Sequence, residues 1–261
     1  MKALLVVVAI AFGVYWYATR PECGKSGAVA CPAAELEEGV GVTVNAREVC
    51  RGAGYLCSER ASFQVMRWPL DKGKLRVRMR LPEFADPETA QQLRDAAIEG
   101  IMEWNGHPFP IVIDSGKYTV HMWDIGVVWS QGLFNEAAGL MRVRADAKGK
   151  RFDFAVDGLT VVVPPIASEG PLVIKSSNPD DIAAQARAMV MGEKMGPALL
   201  TRVKAVAMHE MGHALGLMHS DSEDDIMFAQ YKPGITKARA STRDLRTVDA
   251  LYMLPNGATV Q

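Results

Sequence analysis

Three of the chain's five histidines lie within one stretch, HEMGHALGLMH, at residues 209–219. His209 and His213 are four residues apart, so on a helix they lie one turn apart on the same face. Two imidazole nitrogens in that arrangement can bind one zinc ion. Gly216 can adopt a positive φ angle, which would end the helix and turn the chain so that His219 becomes a third ligand. The stretch therefore predicts a zinc site with three histidine ligands and one open position.

Glu210 is the residue of this stretch that could act as a base. It is offset around the helix from the two histidines, so it is poorly placed as a ligand but can reach a water in the open position. Zinc lowers the pKa of such a water to about 7, and a nearby carboxylate can take its proton. The alternative is an ordinary helix that happens to carry histidines. Five specified positions arise by chance on the order of once in 10⁴ chains of this length, which favours a hydrolytic zinc centre.

The specified positions follow the pattern HExxHxxGxxH, which resembles the metzincin zinc endopeptidases. Met227 is similar to the methionine of the Met-turn, which lies beneath the metal and is the second mark of that family. The string IMFAQY at residues 226–231 and the segment 241–254 are most similar to the matrixin branch. Ala229 stands where matrixins usually have proline. The resemblance is strong over residues 200–254.

This resemblance implies an α+β fold with a twisted mixed β-sheet, a backing helix, a zinc-binding active-site helix, the Met-turn and a C-terminal helix. It implies a zinc-dependent endopeptidase that cleaves protein or peptide substrates, with Glu210 as the catalytic general base. Met227 is expected to lie under the metal without binding it, and Phe228 and Tyr231 to form part of the substrate pocket. The resemblance also implies one catalytic Zn²⁺ with three ligands: His209, His213 and His219.

Two other functions stay open from the residues. One is a catalytically silent, zinc-stabilised binding module of the cell envelope, against which the intact Glu210 argues because binding zinc requires no base. The other is a metal hydrolase acting on a non-peptide bond. Calcium is common in the family, but no compact acidic loop indicates a Ca²⁺ site, and DSEDD at residues 221–225 is predicted to be a solvated loop. His121 and Asp124 are predicted to serve strand packing rather than a second metal.

Upstream of the histidines, the patterns predict a sheet and a backing helix. Residues 74–81, KLRVRMRL, alternate strictly between apolar and basic residues, which is typical of a half-buried strand. Asp86 is a predicted N-cap with Pro87 at the first helical position, and apolar residues follow at helical spacing up to Trp104, a predicted core residue. Residues 118–130 are rich in β-forming residues.

Residues 139–165 predict a hairpin around Lys148 and Gly149, followed by a buried strand from Leu159 to Val163. In the related fold, an edge strand in this region lies above the cleft and pairs with the extended substrate. Such backbone pairing is β-augmentation. We assign this edge strand to residues 139–145.

Residues 1–18 are predicted to be a targeting segment, because Lys2 precedes an apolar run over residues 3–18. The length of this run lies between that of a signal-peptide core and the ~20 residues needed to span a bilayer. The bulky residues 15–17, YWY, disfavour a cleavage site and suit the interfacial belt of a membrane anchor. A cleaved signal peptide and an uncleaved anchor that attaches the chain to a membrane both stay open. Either predicts an exported protein, secreted, periplasmic or membrane-anchored, with its catalytic domain outside the cytoplasm.

Four cysteines lie between this segment and the histidine stretch: Cys23, Cys31, Cys50 and Cys57. An even number in an exported chain favours two disulfides, and sequence leaves three pairings open. The segment RPECG at residues 20–24 resembles the cysteine switch of matrixin propeptides only faintly, since its residue order differs. Residues 19–68, here called the N-terminal extension, could be a prodomain, a spacer, or a disulfide-bonded extension packed on the catalytic domain.

The composition is compatible with one catalytic domain over residues 69–261. The chain has 261 residues, of which 49% are hydrophobic, enough for one sizeable core. Its formal net charge of -1 gives no indication of nucleic-acid binding. Charged residues are interspersed and no internal repeat is present. We expect a monomer.

Overall fold

A computed structural model of the protein describes residues 33–50, 52–58, 62–114, 123–131, 139–166, 195–230 and 239–261. These segments form a five-stranded mixed sheet, helices packed against it, and a small second sheet. This arrangement confirms the predicted α+β fold class. The targeting segment, Cys23, Cys31, His121 and Tyr231 lie outside the described residues.

The helices are α1 (Ala33–Leu36), α2 (Ala46–Val49), α3 (Pro87–Met102), α4 (Pro197–Ala214) and α5 (Thr242–Tyr252), with a short 3₁₀ turn at Leu70–Lys72. The strands are β1 (Thr43–Val44), β2 (Phe63–Gln64), β3 (Leu75–Met79), β4 (Ile111–Asp114), β5 (Ile125–Gln131), β6 (Gly139–Lys148), β7 (Arg151–Val163) and β8 (Thr259–Val260). No helix among the described segments combines the length and the apolarity that crossing a membrane requires.

The main sheet has the strand order β4-β3-β5-β7-β6. Its inner strands pair in parallel, and β6 pairs antiparallel with β7 at one edge. The alternation in β3 is as predicted, because Leu75, Val77 and Met79 are fully buried. The β6–β7 hairpin turns at Gly149, whose φ is 65°. Residues 139–145, assigned from sequence to the edge strand, therefore lie at a sheet edge. Strand β6 extends three residues further, to Lys148.

Helix α3 begins where the sequence predicts. The Asp86 carboxylate accepts hydrogen bonds from the backbone N–H groups of Glu88 and Thr89, both at 3.1 Å, and Pro87 occupies the first turn. The side-chain oxygen thereby satisfies N–H groups that have no partner within the helix. The helix ends at Met102. The apolar pattern continues to Trp104, but the chain forms a turn after Met102.

Close contact between α3 and α4 fixes the histidine-bearing helix against the backing helix. A Cβ on Gly100 would overlap the carbonyl oxygen of Lys204, so only glycine permits this approach. Trp104 is fully buried, which confirms it as a core residue, and its indole N–H donates to the Met208 carbonyl at 2.8 Å. This hydrogen bond fixes the position of α4 at Met208, one residue before its first histidine.

The described part of the N-terminal extension contributes to the same hydrophobic core. Strand β8, at the C-terminal end of the chain, lies between β1 and β2 of the extension, parallel to the first and antiparallel to the second. Val44, Phe63 and Val260 are buried there. Cys50 and Cys57 form a disulfide. The described part of the extension is thus joined to the C-terminal end of the chain by strand pairing and by core packing.

Arg67 joins the extension to the C-terminal segment through hydrogen bonds. Its side chain is fully buried and forms an ion pair with Glu37 at 2.9 Å. Its remaining N–H groups donate to the carbonyl oxygens of Leu36, Trp68 and Leu254. Burying a charge is costly unless it is paired and hydrogen-bonded, and here every guanidinium N–H has an acceptor.

Replacing Glu37 by glutamine leaves the Arg67 charge buried without a counter-charge. We expect Glu37→Gln to lower the free energy of unfolding by about 3 kcal/mol, measured by urea denaturation. Glu38→Gln is the matched control, because Glu38 is exposed, and its effect should stay within about 0.5 kcal/mol. Equal stabilities of the two variants would show that the pair does not hold the extension in place.

Candidate active site

Helix α4 carries two of the three histidines, and the turn after the helix leads to the third. The helix carries His209 and His213 in its last turns and ends at Ala214. Gly216 follows with a φ of 100°, which confirms the predicted turn. A Cβ on Gly216 would also overlap the carbonyl oxygen of Met66, so both conformation and space require glycine here.

The three histidines converge on one point. Their potential ligand nitrogens all lie within 4.8 Å of one another, and within the described ranges this is the one cluster of metal-ligating side chains. The Nε2 atoms of His213 and His219 are 3.2 Å apart. Two nitrogens bound to tetrahedral zinc at the usual bond length are about 3.3 Å apart. The donor set therefore fits a zinc ion without rearrangement of this pair.

Backbone carbonyl groups set the orientation of the two helical imidazoles. Nδ1 of His209 lies 2.7 Å from the carbonyl oxygen of Ile226, and Nδ1 of His213 lies 2.8 Å from that of Leu217. A carbonyl oxygen only accepts hydrogen bonds, so each Nδ1 carries the proton. The lone pair is then on Nε2, the atom that would bind the metal.

Met227, the methionine of the predicted Met-turn (residues 226–228), packs against α4. Its side chain is fully buried, and a Cβ on Gly212 would overlap its sulfur. The backbone N–H of Ser220 donates to the Met227 carbonyl at 2.8 Å, which ties the turn to the segment of the third histidine. Phe228 is half-buried and forms a parallel bridge with Ser220. With Tyr231 outside the described residues, the pocket role of both side chains stays a prediction.

The C-terminal part of the chain matches a known family. The family model described as matrixin, Peptidase_M10, matches residues 143–253, which include most of β6, all of β7, the three histidines, the Met-turn and α5. This part of the chain is matrixin-like. A metalloendoproteinase of Arabidopsis thaliana, 5-MMP, is 43% identical to it over 56 residues. That match covers 21% of this chain and 16% of the relative, so the chain spans a small part of the relative's length.

Glu210 of this matrixin-like site is buried, at 5% exposure. Burial raises the pKa of its carboxyl group to about 7 in the metal-free chain, since the charged form loses hydration. A group with such a pKa can both accept and release a proton near neutral pH.

Gly139, the first residue of β6, lies directly against Glu210, and sequence reasoning did not single it out. A Cβ at this position would overlap the carboxyl end of the Glu210 side chain. The sheet edge is therefore in contact with the candidate base. A glycine at the start of a strand carries no signal of this role, because the two residues are far apart in sequence.

Asp244 of α5 is a second residue whose role in the site only the structure shows. The carboxylate is fully buried and accepts hydrogen bonds from the backbone N–H of Ile226 at 2.9 Å and of Ser241 at 2.8 Å. The hydroxyl of Tyr55 donates to it at 2.8 Å. The spacing of Ser241 and Asp244 is that of a capping box, so sequence could have indicated the helix start but not the contact with the Met-turn.

The acidic loop at residues 221–225 differs from its prediction at one residue. Asp225 is buried, so the expectation of a solvated loop is wrong there. Its carboxylate accepts from Ser241 Oγ at 2.6 Å, from Arg243 Nη1 at 2.8 Å and from Ser220 Oγ. These donors replace water, which explains how the carboxylate can be buried.

Asp124, considered as a metal ligand from sequence, is engaged by other groups of the chain. It accepts from the backbone N–H of Arg76 at 2.8 Å and pairs with Lys72 at 2.7 Å. Both contacts hold the start of β5 beside β3. They support the strand-packing role predicted for Asp124.

We expect the purified protein to bind one zinc ion per chain. His219→Ala should weaken zinc binding at least about 100-fold, because it removes a ligand, a larger loss than removing an outer partner. The measurement is a competition titration with a chromophoric chelator. His107→Ala is the control, since His107 is a half-buried histidine outside the cluster. Unchanged affinity in His219→Ala would contradict the three-histidine site.

Proposed function

We propose that the protein is a zinc-dependent endopeptidase acting on protein or peptide substrates. The observation that carries this proposal is the convergence of three imidazoles together with a buried glutamate, Glu210, next to His209 on the helix matched by the matrixin model. A metal bound by neutral nitrogens with a proton-accepting group beside it is the arrangement that hydrolysis requires.

Each residue has a role that its position supports. His209, His213 and His219 would hold the zinc ion, which when bound supplies a Lewis acid and lowers the pKa of coordinated water. Glu210 accepts a proton from the attacking water and then returns it to the leaving amine nitrogen. Burial raises the pKa of this carboxyl group, which favours acceptance of a proton.

Strand β6 supports the choice of an extended peptide as substrate. One of its edges pairs with β7, and in the described part of the chain its other edge has no strand partner. Unpaired backbone groups at a sheet edge can bind an extended peptide by adding it as a further strand. Contact between Gly139 and Glu210 would then bring a peptide bond of that strand close to the base.

The binding-module alternative accounts less well for Glu210. Burying a carboxyl group costs free energy, and in the described residues no cation forms an ion pair with it. A zinc ion that only stabilises a fold needs no such group. A buried acid without a compensating cation is more typical of a functional site than of a structural one.

We also propose that the protein is exported. The Cys50–Cys57 disulfide supports this, since disulfides persist in oxidising compartments. The apolar residues 3–18 support it from the sequence, either as a cleaved signal or as a membrane anchor.

Glu210→Gln separates catalysis from metal binding. We expect one zinc per chain in both proteins, with cleavage of a diverse peptide library slowed about 10²–10⁴-fold in the variant, because amide nitrogen and oxygen cannot accept the proton. Zinc content and product peptides are measured by mass spectrometry. One zinc in the wild type without any cleavage would favour the binding module, and equal cleavage by both proteins would exclude Glu210 as the base.

Gly139→Ala tests the contact between the sheet edge and the base. We expect kcat to fall about 10- to 100-fold while zinc content and KM change little, because the added methyl group displaces the carboxyl group. Gly158→Ala on the neighbouring strand is the matched control, since its Cβ would meet only the Gly126 carbonyl oxygen, at 3.7 Å. Similar kcat values for both variants would show that Gly139 does not position Glu210.

A further inference from the structure

Tyr55 lies in the loop closed by the Cys50–Cys57 disulfide and contacts α5 through two groups. Its buried hydroxyl donates to Asp244 Oδ1 at 2.8 Å, and its backbone N–H donates to Thr247 Oγ1 at 3.2 Å. Burial and the Asp244 carboxylate raise the pKa of Tyr55, so the hydroxyl stays a donor at neutral pH. The loop is therefore hydrogen-bonded to a helix nearly two hundred residues further along the chain.

The extension and α5 approach each other closely beside this contact. Gly54 has a φ of 63°, and a Cβ there would overlap the hydroxyl of Thr247. Arg243 lies over the Tyr55 ring, with its guanidinium carbon 5.3 Å from the ring centre. The space left is too small for the Tyr55 ring to take other positions freely.

Asp244 transmits this contact to the Met-turn. Its Oδ2 accepts from the backbone N–H of Ile226 at 2.9 Å, and the Ile226 carbonyl accepts from Nδ1 of His209 at 2.7 Å. Three hydrogen bonds thus join the Tyr55 hydroxyl to an imidazole of the zinc cluster. Partners that orient a metal-ligating histidine influence metal affinity, because they fix the ring and its tautomer.

The extension also contacts the segment that carries the third histidine. The Met66 carbonyl lies against Gly216, where any larger residue would overlap it. Ser58 Oγ is 3.5 Å from the carbonyl oxygen of His219. Both sides of the zinc cluster, the Met-turn and the turn before His219, are therefore supported by the extension.

We propose that Tyr55 is a positioning residue of the zinc site and that the extension around it is a permanent part of that site, not a removable propeptide. This inference rests on the zinc-binding part of the proposed function and not on peptide cleavage. Without the Tyr55 hydroxyl, the buried Asp244 carboxylate loses a donor and holds the Met-turn less firmly. Zinc affinity would then fall although all three histidine ligands are intact.

The test is the zinc affinity of the full-length protein and of its Tyr55→Phe variant. Metal-free protein competes with a chromophoric chelator for zinc. The titration is done at a temperature at which circular dichroism shows that every variant is folded. We expect Tyr55→Phe to weaken zinc binding about tenfold, the lower end of the range for outer-shell partners. Cobalt(II) bound in place of zinc should show a shifted visible absorption band, because that band reports the geometry of the ligands.

Glu37→Gln is the matched control, since it breaks a buried ion pair within the extension, between Glu37 and Arg67, that does not lead to the Met-turn. We expect it to lower thermal stability while zinc affinity stays within about twofold. Equal weakening in both variants, or unchanged affinity and an unchanged cobalt spectrum in Tyr55→Phe, would overturn the proposal.

Two further outcomes keep this inference separate from the endopeptidase proposal. If Tyr55→Phe does not fold, a Cys50→Ser/Cys57→Ser double variant loosens the same loop and must weaken zinc binding in its place. If the wild type binds zinc but cleaves no peptide, the endopeptidase proposal fails and the zinc titration still decides the role of Tyr55. Absence of zinc binding in the wild type overturns both.

Discussion

The convergence of three imidazole nitrogens within 4.8 Å is the constraint on which the rest of the structure depends. Each imidazole must present its Nε2 lone pair, so its Nδ1 proton needs a fixed acceptor. For His209 and His213 the acceptors are backbone carbonyls, at Ile226 and Leu217. Those carbonyls lie in irregular segments with no helix or sheet to hold them. Their positions therefore have to be set by other parts of the chain.

The ends of the chain provide that support. Asp244 of α5 binds the Met-turn backbone, and Tyr55 of the extension binds Asp244 in turn. Strand β8 lies between two strands of the extension, and the buried Arg67 of the extension donates to the Leu254 carbonyl near the C-terminal end. An N-terminal segment held by this many buried contacts cannot leave without exposing part of the core. The described part of the extension therefore shares one hydrophobic core with α4 and α5.

Three buried carboxyl groups near the metal cluster differ in what surrounds them, and the difference separates structure from chemistry. Asp225 is compensated by Arg243 and by serine hydroxyls, and Asp244 by a tyrosine hydroxyl and backbone N–H groups. Glu210 lies instead against Gly139 of β6, and burial raises its pKa to about 7. A buried carboxylate that accepts several hydrogen bonds has its polar atoms satisfied and stabilises a turn. One held close to its titration point can exchange protons.

Local sequence patterns determined the candidate zinc ligands and the positions of several helices and strands. Helical periodicity places His209, Glu210 and His213, and the positive φ of Gly216 brings in His219, because both effects act over a few residues. The cap at Asp86 and the alternation in β3 are local for the same reason. Tertiary structure alone decided the contact of Gly139 with Glu210, the burial of Asp225, and the link from Tyr55 to Asp244 across 189 residues. Periodicity tells which face of an element is apolar, but which distant element covers that face depends on how the whole core packs.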